Sequence, residues 1–273
     1  AQRIKRIPDS NWQDVSWGNI DPARSYKYTI KSDPKKSIDL FFYDGAISRS
    51  VAFDELLTDG NKFIKRLKEG VSELRDYPQL INIATDGESY GHHTKFGDMA
   101  LSYVLKIKAE DEGFKITNYA EYLAKYRSDY EADIKQASSW SCFHGVGRWK
   151  EDCGCSTGGH PGWNQKWREP LRNALDYLRD HFAEIFEREG AKYYNKDVWA
   201  VRNQYIDVIL DRSYSNIKKF QKEHFKADLS EEDRIRGMEL LEIQRQALLM
   251  YTSCGWFFSE ISGIETVQIM KYA

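Results

Sequence analysis

Short apolar runs alternate with amphipathic stretches in the first half of the chain. Ile38 to Tyr43 is one such run and predicts a buried strand ending at Asp44-Gly45. Helical periodicity follows near 48–57 and 60–75. Leu80-Ile81-Asn82-Ile83-Ala84 predicts a second strand. Over 95–110, Phe96, Met99, Ala100, Tyr103, Val104 and Ile107 fall on one helical stripe. Phe114 to Thr117 predicts a third strand, followed by a short helix near 118–125. Residues 1–36 are polar, with turn signals at Asp21-Pro22 and Asp33-Pro34, and read as loop or insertion. Alternation of strand and helix predicts an α/β fold with parallel strands, in a sheet or a barrel.

The pattern changes after about residue 135. Residues 138–164 form a loop rich in Gly, Cys and Trp. Three helical stretches follow. In 165–188, Trp167, Leu171, Leu175, Leu178 and Phe182 share a face; a second stretch runs over 196–222. The third, 230–251, has Ser230 as its N-cap and Glu231, Glu232 and Asp233 in its first turn, where acids suit the helix dipole. We therefore expect an α/β portion over 1–135 and a loop with an α-helical portion over 136–273.

The totals exclude several classes. Of 273 residues, 40 are Lys or Arg and 42 are Asp or Glu, and no basic block stands out. A nucleic-acid partner needs a concentrated basic face, so none is expected. No apolar run approaches the ~20 residues of a membrane span, and no signal peptide is visible. No membrane partner is expected, and the location is expected to be cytoplasmic. No cofactor is expected either. The chain starts at Ala1 rather than Met and ends at Ala273 without a helix stop signal. We expect it to be part of a longer polypeptide whose remainder, on the amino-terminal side, is a partner.

The richest chemistry lies at the exit of the second expected strand, in Thr85-Asp86-Gly87-Glu88-Ser89-Tyr90-Gly91-His92-His93. Two carboxylates and two imidazoles share one turn, and strand carboxyl ends carry the chemistry of parallel α/β folds. Asp86 and Glu88 alternate, so one faces a substrate and the other supports it, or both cap the next helix. His92 and His93 suit hydrogen bonds to substrate better than shared metal ligation. Asp44, at the other strand exit, opens into the same crevice if the strands are neighbours; otherwise it caps a helix. Trp140, Trp149, Trp163 and Trp167 cluster in sequence, and flat apolar faces beside carboxylates suit sugar rings. Cys142, Cys153 and Cys155, with His144 and His160 nearby and Cys254 more remote, make a metal site conceivable. Their spacing is not that of a zinc ribbon or finger, and no metal site is the leading expectation. Free thiols or one disulfide are the alternatives, the latter disfavoured in the cytosol.

The motif around Asp86 resembles the fourth signature of glycoside hydrolase family 57, Asp-Gly-Glu-x-[Phe/Tyr]-Gly-x-His. That family contains retaining α-glucan enzymes built on an incomplete (β/α)7 barrel with a helical region behind it. Ser139-Trp140-Ser141-Cys142, His144-Gly145-Val146, Arg148-Trp149, Asp152-Cys153-Gly154-Cys155 and Gly162-Trp163-Asn164-Gln165 look like the uncharacterised region attached to family 57-like barrels. Thr252 to Phe258, followed by Glu260, fits the same group. The resemblance extends from about Ile38 onward. It implies that Asp86 is the general acid/base and that the substrate is an α-linked oligo- or polysaccharide. It makes Glu88, His92, His93, Asp44, Trp140, His144, Trp149, Trp256 and Glu260 candidates for substrate binding.

The family's nucleophile is a Glu in an earlier motif, which is not found here. Glu55, Glu69 and Glu73 lie in helical stretches and make poor candidates. The family's amino-terminal His motif is also missing. The expectation is the carboxyl-side part of a β/α barrel that does not run the two-step reaction alone. The alternatives are a non-catalytic glycan-binding module on a degenerate barrel and a Cys/His metal-binding domain.

Overall fold

Three of the five strands come from residues 1–36, the stretch expected to be loop. The computed structural model describes residues 1–273, in two units, Ala1–Gln136 and Ala137–Ala273. In the first unit the strands are β1 (Arg3–Arg6), β2 (Gln13–Asp14), β3 (Ser25–Thr29), β4 (Ser37–Phe41) and β5 (Tyr130–Asp133). They form one sheet in the order β2-β1-β5-β3-β4. Only β3 and β5 run parallel; the other three pairs are antiparallel. The expectation of parallel strands in a β/α barrel is corrected accordingly: the sheet is mixed and open.

Ion pairs explain why such polar segments form strands. Arg3 faces Asp133 and Lys5 faces Glu131 across β1 and β5, with N···O distances of 3.1 and 3.0 Å. Cross-strand pairs of this kind contribute about 0.2–1 kcal/mol each. On the alternate positions Ile4 and Ala132 turn into a small core with Val15 and Tyr26. Of the expected strands, Ile38–Tyr43 is present as β4, but on the sheet edge with no buried residue rather than as a buried strand. Leu80–Ala84 and Phe114–Thr117 join no ladder. Leu80 N–H donates to Ala23 O, Asn82 O accepts from Asp44 N–H, and Ala84 N–H donates to the Ser48 hydroxyl. These single bonds go to different elements, so no register is set.

The helices are α1 (Gly45–Phe53), α2 (Gly60–Lys68), α3 (Gly97–Tyr103), α4 (Ala109–Asp111) and α5 (Tyr119–Lys125). A wider π turn over Val104–Lys108 joins α3 to α4. It changes the period from Val104 onward, and Phe96, ahead of α3, has a left-handed backbone, so the expected stripe is only partly buried. Val104 and Ala109 are inside, whereas Phe96, Met99 and Ile107 are exposed. Val104 packs with Val51, Leu57, Phe63 and Ile64 in a second core. A cavity of about 840 Å³ lies beside that core, lined in part by Ile81, Ile83, Leu101, Phe114 and Ile116.

Asp21 ties the polar segments of this unit together. Its carboxylate accepts bonds from the Tyr77 hydroxyl, Ala23 N–H and Arg75, and pairs with Arg75 at 3.1 Å. Its backbone carbonyl accepts from the buried Tyr26 hydroxyl.

The second unit is helical: α6 (Arg168–Tyr193), α7 (Val198–Gln204), α8 (Ile206–Leu210), α9 (Tyr214–His224), α10 (Glu231–Leu249), α11 (Cys254–Phe257) and α12 (Ile264–Tyr272). The face of α6 carrying Trp167, Leu171, Leu175, Leu178 and Phe182 packs around Met250, Trp256 and Ile269. Farther along, Phe186 joins a second core with Tyr194, Val201, Phe220 and Leu241. The Ser230 hydroxyl caps α10 by accepting from Asp233 N–H at 3.1 Å. The single helix expected over 196–222 is three. Asp211 accepts from Ser213 N–H, Ser213 caps α9, and Asn216 donates to the carbonyls of Asp207 and Asp211. These side chains hold a break that apolar spacing does not reveal.

Burial raises the pKa of Asp21, but the Tyr77, Ala23 and Arg75 contacts outweigh it and hold it below the usual carboxylate range. A depressed folded-state pKa stabilises above the unfolded value and is lost as pH falls through the folded value. Stability of the first unit is expected to hold above about pH 5 and to decline below about pH 4. Asp21→Asn should lower stability at neutral pH by about 1–3 kcal/mol and flatten the acid limb. Urea unfolding at several pH values reads both effects; equal acid slopes in the two proteins would contradict the assignment.

Candidate functional site

The segment Leu80–Ala84 is extended and leads into the acidic motif. Asp86 keeps an extended backbone, with φ −62° and ψ 139°, and its carbonyl accepts from Ser89 N–H. Gly87–Ser89 then form one tight turn, in which Ser89 is buried. Gly91 sits at φ +142°, a conformation that disfavours a side chain. Gly97 packs the start of α3 against the same turn: an added Cβ would lie 3.2 Å from Ser89 O and from Leu57.

The motif side chains face solvent. Asp86, Glu88, His92 and His93 are all exposed. His93 Nε2 stands 3.8 Å from Glu88 Oε2, and the His92 and His93 rings meet edge to face at 5.1 Å. The backbone N–H groups of both His residues donate to Glu88 O. Thr85 donates to the Tyr90 hydroxyl at 3.1 Å beneath them. The Asp86 carboxylate makes no hydrogen bond or ion pair within the protein, whereas that of Glu88 stands beside His93.

Asp44 behaves differently. Its N–H donates to Asn82 O at 2.7 Å, so its backbone does adjoin the segment leading to Asp86. Its carboxylate, however, accepts from Ile47 N–H at 2.9 Å and caps α1. Glu69 is paired with Arg66 at 2.7 Å, and Glu55 occupies a left-handed turn between helices.

In the second unit, the loop over 138–164 brings the cysteines together. Cys142, His144, Cys153 and Cys155 place one ligand atom each within 4.8 Å of one another. Cys142 Sγ is 3.8 Å from both Cys153 Sγ and Cys155 Sγ, and Cys155 Sγ is 3.4 Å from His144 Nδ1. All four cysteines are free thiols; Cys254 is exposed and, like His160, lies outside this group. Gly154 at φ +77° turns the chain between Cys153 and Cys155. A Cβ at Gly147 would come within 2.9 Å of the Cys153 Cβ, so only glycine fits there. Burial pushes the Cys142 thiol up, but the backbone N–H groups of Arg148 and His144 and the neighbouring thiols bring it down to about 7.

Two buried guanidiniums flank the cluster. Arg168 is fully buried and donates to the carbonyls of Phe257 and Phe258 at 3.0 and 2.9 Å, with Nη1 4.0 Å from Cys153 Sγ. Arg148 donates to Phe257 O at 3.0 Å and stacks on the Phe257 ring. Neither forms an ion pair with a carboxylate, although Asp152 acts on Arg168 from farther away. The sequence carried no signal for Arg168, which sits on an otherwise ordinary helix start.

The aromatic candidates divide by burial. Trp140 is 73% exposed and stacks on Phe257 at 6.2 Å. Trp149 is half-buried and donates its indole N–H to Ser253 O. Trp256 is 1% exposed, stacked on Trp167 and bonded to Met250 O. It is a core residue, with no open face for a sugar ring. Glu260 is occupied by Ser262, whose N–H and hydroxyl both donate to Oε2.

Residues 12–135 match the family described as glycosyl hydrolase family 57, and residues 163–273 match a domain of unknown function, DUF3536. The first match includes residues 12–37, ahead of the stretch on which the resemblance was read. Among solved structures, the chain is similar to a novel exo-type maltose-forming amylase from Pyrococcus sp. ST04, with 20% identity and a TM-score of 0.59. The similarity covers 86% of this chain and 44% of that one, so the chain spans less than half of its relative's length. At this identity the likeness is one of fold. No curated protein matches the chain. The chain is thus similar to glycoside hydrolase family 57 over residues 12–135. Its second unit carries a region whose family has no assigned function. No helix is long and apolar enough to cross a membrane.

Trp256→Ala should destabilise the second unit by about 3–5 kcal/mol through the cavity it leaves. Trp140→Ala should change stability by about 0.5 kcal/mol or less, as for other exposed positions. Denaturant unfolding followed by circular dichroism compares the two; equal losses would overturn the division into core and surface tryptophans.

Proposed function

We propose that this chain is the carboxyl-side part of a retaining glycoside hydrolase or transglycosylase acting on α-linked glucans, with Asp86 as general acid/base. One observation carries the reading. In a motif resembling the family's signature, Asp86 alone combines an exposed carboxylate with freedom from every protein partner. Asp44 is engaged as a cap, and Glu88 stands beside His93.

In this reading Asp86 protonates the glycosidic oxygen as the bond to the anomeric carbon breaks. It then removes a proton from the incoming water or sugar hydroxyl. A second carboxylate, ~5–5.5 Å away, forms the glycosyl-enzyme. The family's nucleophile motif is not found in this chain, so this reading places the nucleophile in the amino-terminal remainder of the same polypeptide. Glu88, His92 and His93 hold sugar hydroxyls or orient Asp86. Trp140 offers an aromatic face in the second unit, and Trp256 takes no part.

The test uses the full-length polypeptide with α-linked maltooligosaccharides. Asp86→Asn should lower kcat by about 10²–10⁴-fold, the range of a lost acid/base group, while glycan affinity stays within a few-fold. Unchanged turnover would remove Asp86 from the chemistry. Glycan binding without turnover in the unmutated polypeptide would favour a binding module instead.

A further inference from the structure

We propose that Cys142, His144, Cys153 and Cys155 bind one zinc ion in a closed Cys3His site that fastens the aromatic loop to the start of α6. The spacing suits a mononuclear tetrahedral shell, with all four ligand atoms within 4.8 Å of one another. With Zn–S bonds of ~2.3 Å, two sulfurs of a regular tetrahedron stand ~3.8 Å apart, and a sulfur and an imidazole nitrogen about 3.6 Å apart. Two of the sulfur–sulfur separations here are 3.8 Å and one sulfur–nitrogen separation is 3.4 Å. Four protein ligands leave no open position, which is the pattern of a structural rather than a catalytic zinc.

Charge supplies an independent argument. Arg168 is fully buried beside Cys153, and neither it nor the buried Arg148 forms an ion pair; Asp152 acts on Arg168 only from beyond pairing distance. The Nε groups of both also lack a hydrogen-bond acceptor. A buried cation needs a compensating charge. Three thiolates and one imidazole around Zn²⁺ carry a net charge of −1, placed next to Arg168. Each thiol gives up its proton to solvent as its Zn–S bond forms, so three protons leave per zinc bound. With neutral thiols, Arg168 keeps only the longer-range field of Asp152.

The backbone is shaped for the same arrangement. Gly154 reverses the chain so that Cys153 and Cys155 reach one point, and Gly147 leaves room for Cys153. Arg148 and Arg168 both bond to Phe257 O, so a metal in this cluster fixes loop, helix start and the turn at 257–258 together. A disulfide would use two of the three sulfurs and leave the third outside the bond.

Elemental analysis of the full chain, purified under reducing conditions and offered zinc, should give about one zinc per chain. Cobalt substitution should give the visible absorption of a tetrahedral thiolate site. Alkylation should reach only Cys254 in the metal-bound protein and all four cysteines after chelation. Cys153→Ser and His144→Ala should weaken zinc binding by at least about 10-fold, whereas Cys254→Ser should retain it. Zinc well below one equivalent, stoichiometric iron in its place, a Cys142–Cys153 disulfide in the reduced preparation, or four equally reactive thiols before chelation would each overturn the proposal. If the variants do not fold, the cobalt spectrum and thiol count of the unmutated chain decide it. None of these readouts depends on Asp86 or on glycan turnover.

Discussion

A fully buried guanidinium without a carboxylate partner organises the second unit. Arg168 opens the longest helix, α6, and spends its donors on the carbonyls of Phe257 and Phe258 and on the edge of the cysteine cluster. Burial makes its charge costly, and only the surroundings of that charge make it tolerable. The loop over 138–164 therefore cannot be an arbitrary surface excursion. It has to bring sulfur to Arg168, and Gly147 and Gly154 let the backbone do so. Phe257, held by both Arg148 and Arg168, in turn supports the exposed face of Trp140.

The first unit rests on a different constraint. Its sheet is closed in sequence by β5, which inserts between β1 and β3 from more than a hundred residues away. Charged side chains pair across one face while Ile4, Tyr26 and Ala132 close the other. Asp21, Arg75 and Tyr77 tie the turn before β3 to the segment after α2. The acidic motif is carried by an extended segment that joins no sheet and is held by single bonds to Ala23, Asp44 and Ser48. Its position depends on the packing of α1 and α3, with Gly97 admitting the closest approach.

Local signals were the readable ones. Asp44 and Ser230 cap helices because a short acceptor side chain precedes a helical period. The α6 stripe is buried as its spacing requires. The β1 and β5 strands were missed because short charged segments carry no two-residue apolar alternation; their stability comes from partners distant in sequence. Leu80–Ala84 looked like a strand because apolar runs do not reveal whether a neighbour is present to hydrogen-bond. The 95–110 stripe is broken at both ends, by the left-handed backbone at Phe96 and by the π turn, where the period itself changes. Trp256 and Trp140 have similar sequence surroundings of Ser, Cys and Phe, yet one is core and the other surface.

By itself the sequence determined the motif around Asp86, the change of character after residue 135, the capped helices and the kinship with family 57. These are matters of residue type at fixed local spacing, so they survive without coordinates. Tertiary structure alone decided that the sheet is mixed and open, that Asp86 is free while Asp44 is engaged, and that Trp256 is hidden. It also decided that three cysteines, a histidine and a buried arginine meet at one point. Each of these depends on which distant segments share a small volume, and that is settled by pairing and packing across the fold rather than by local spacing.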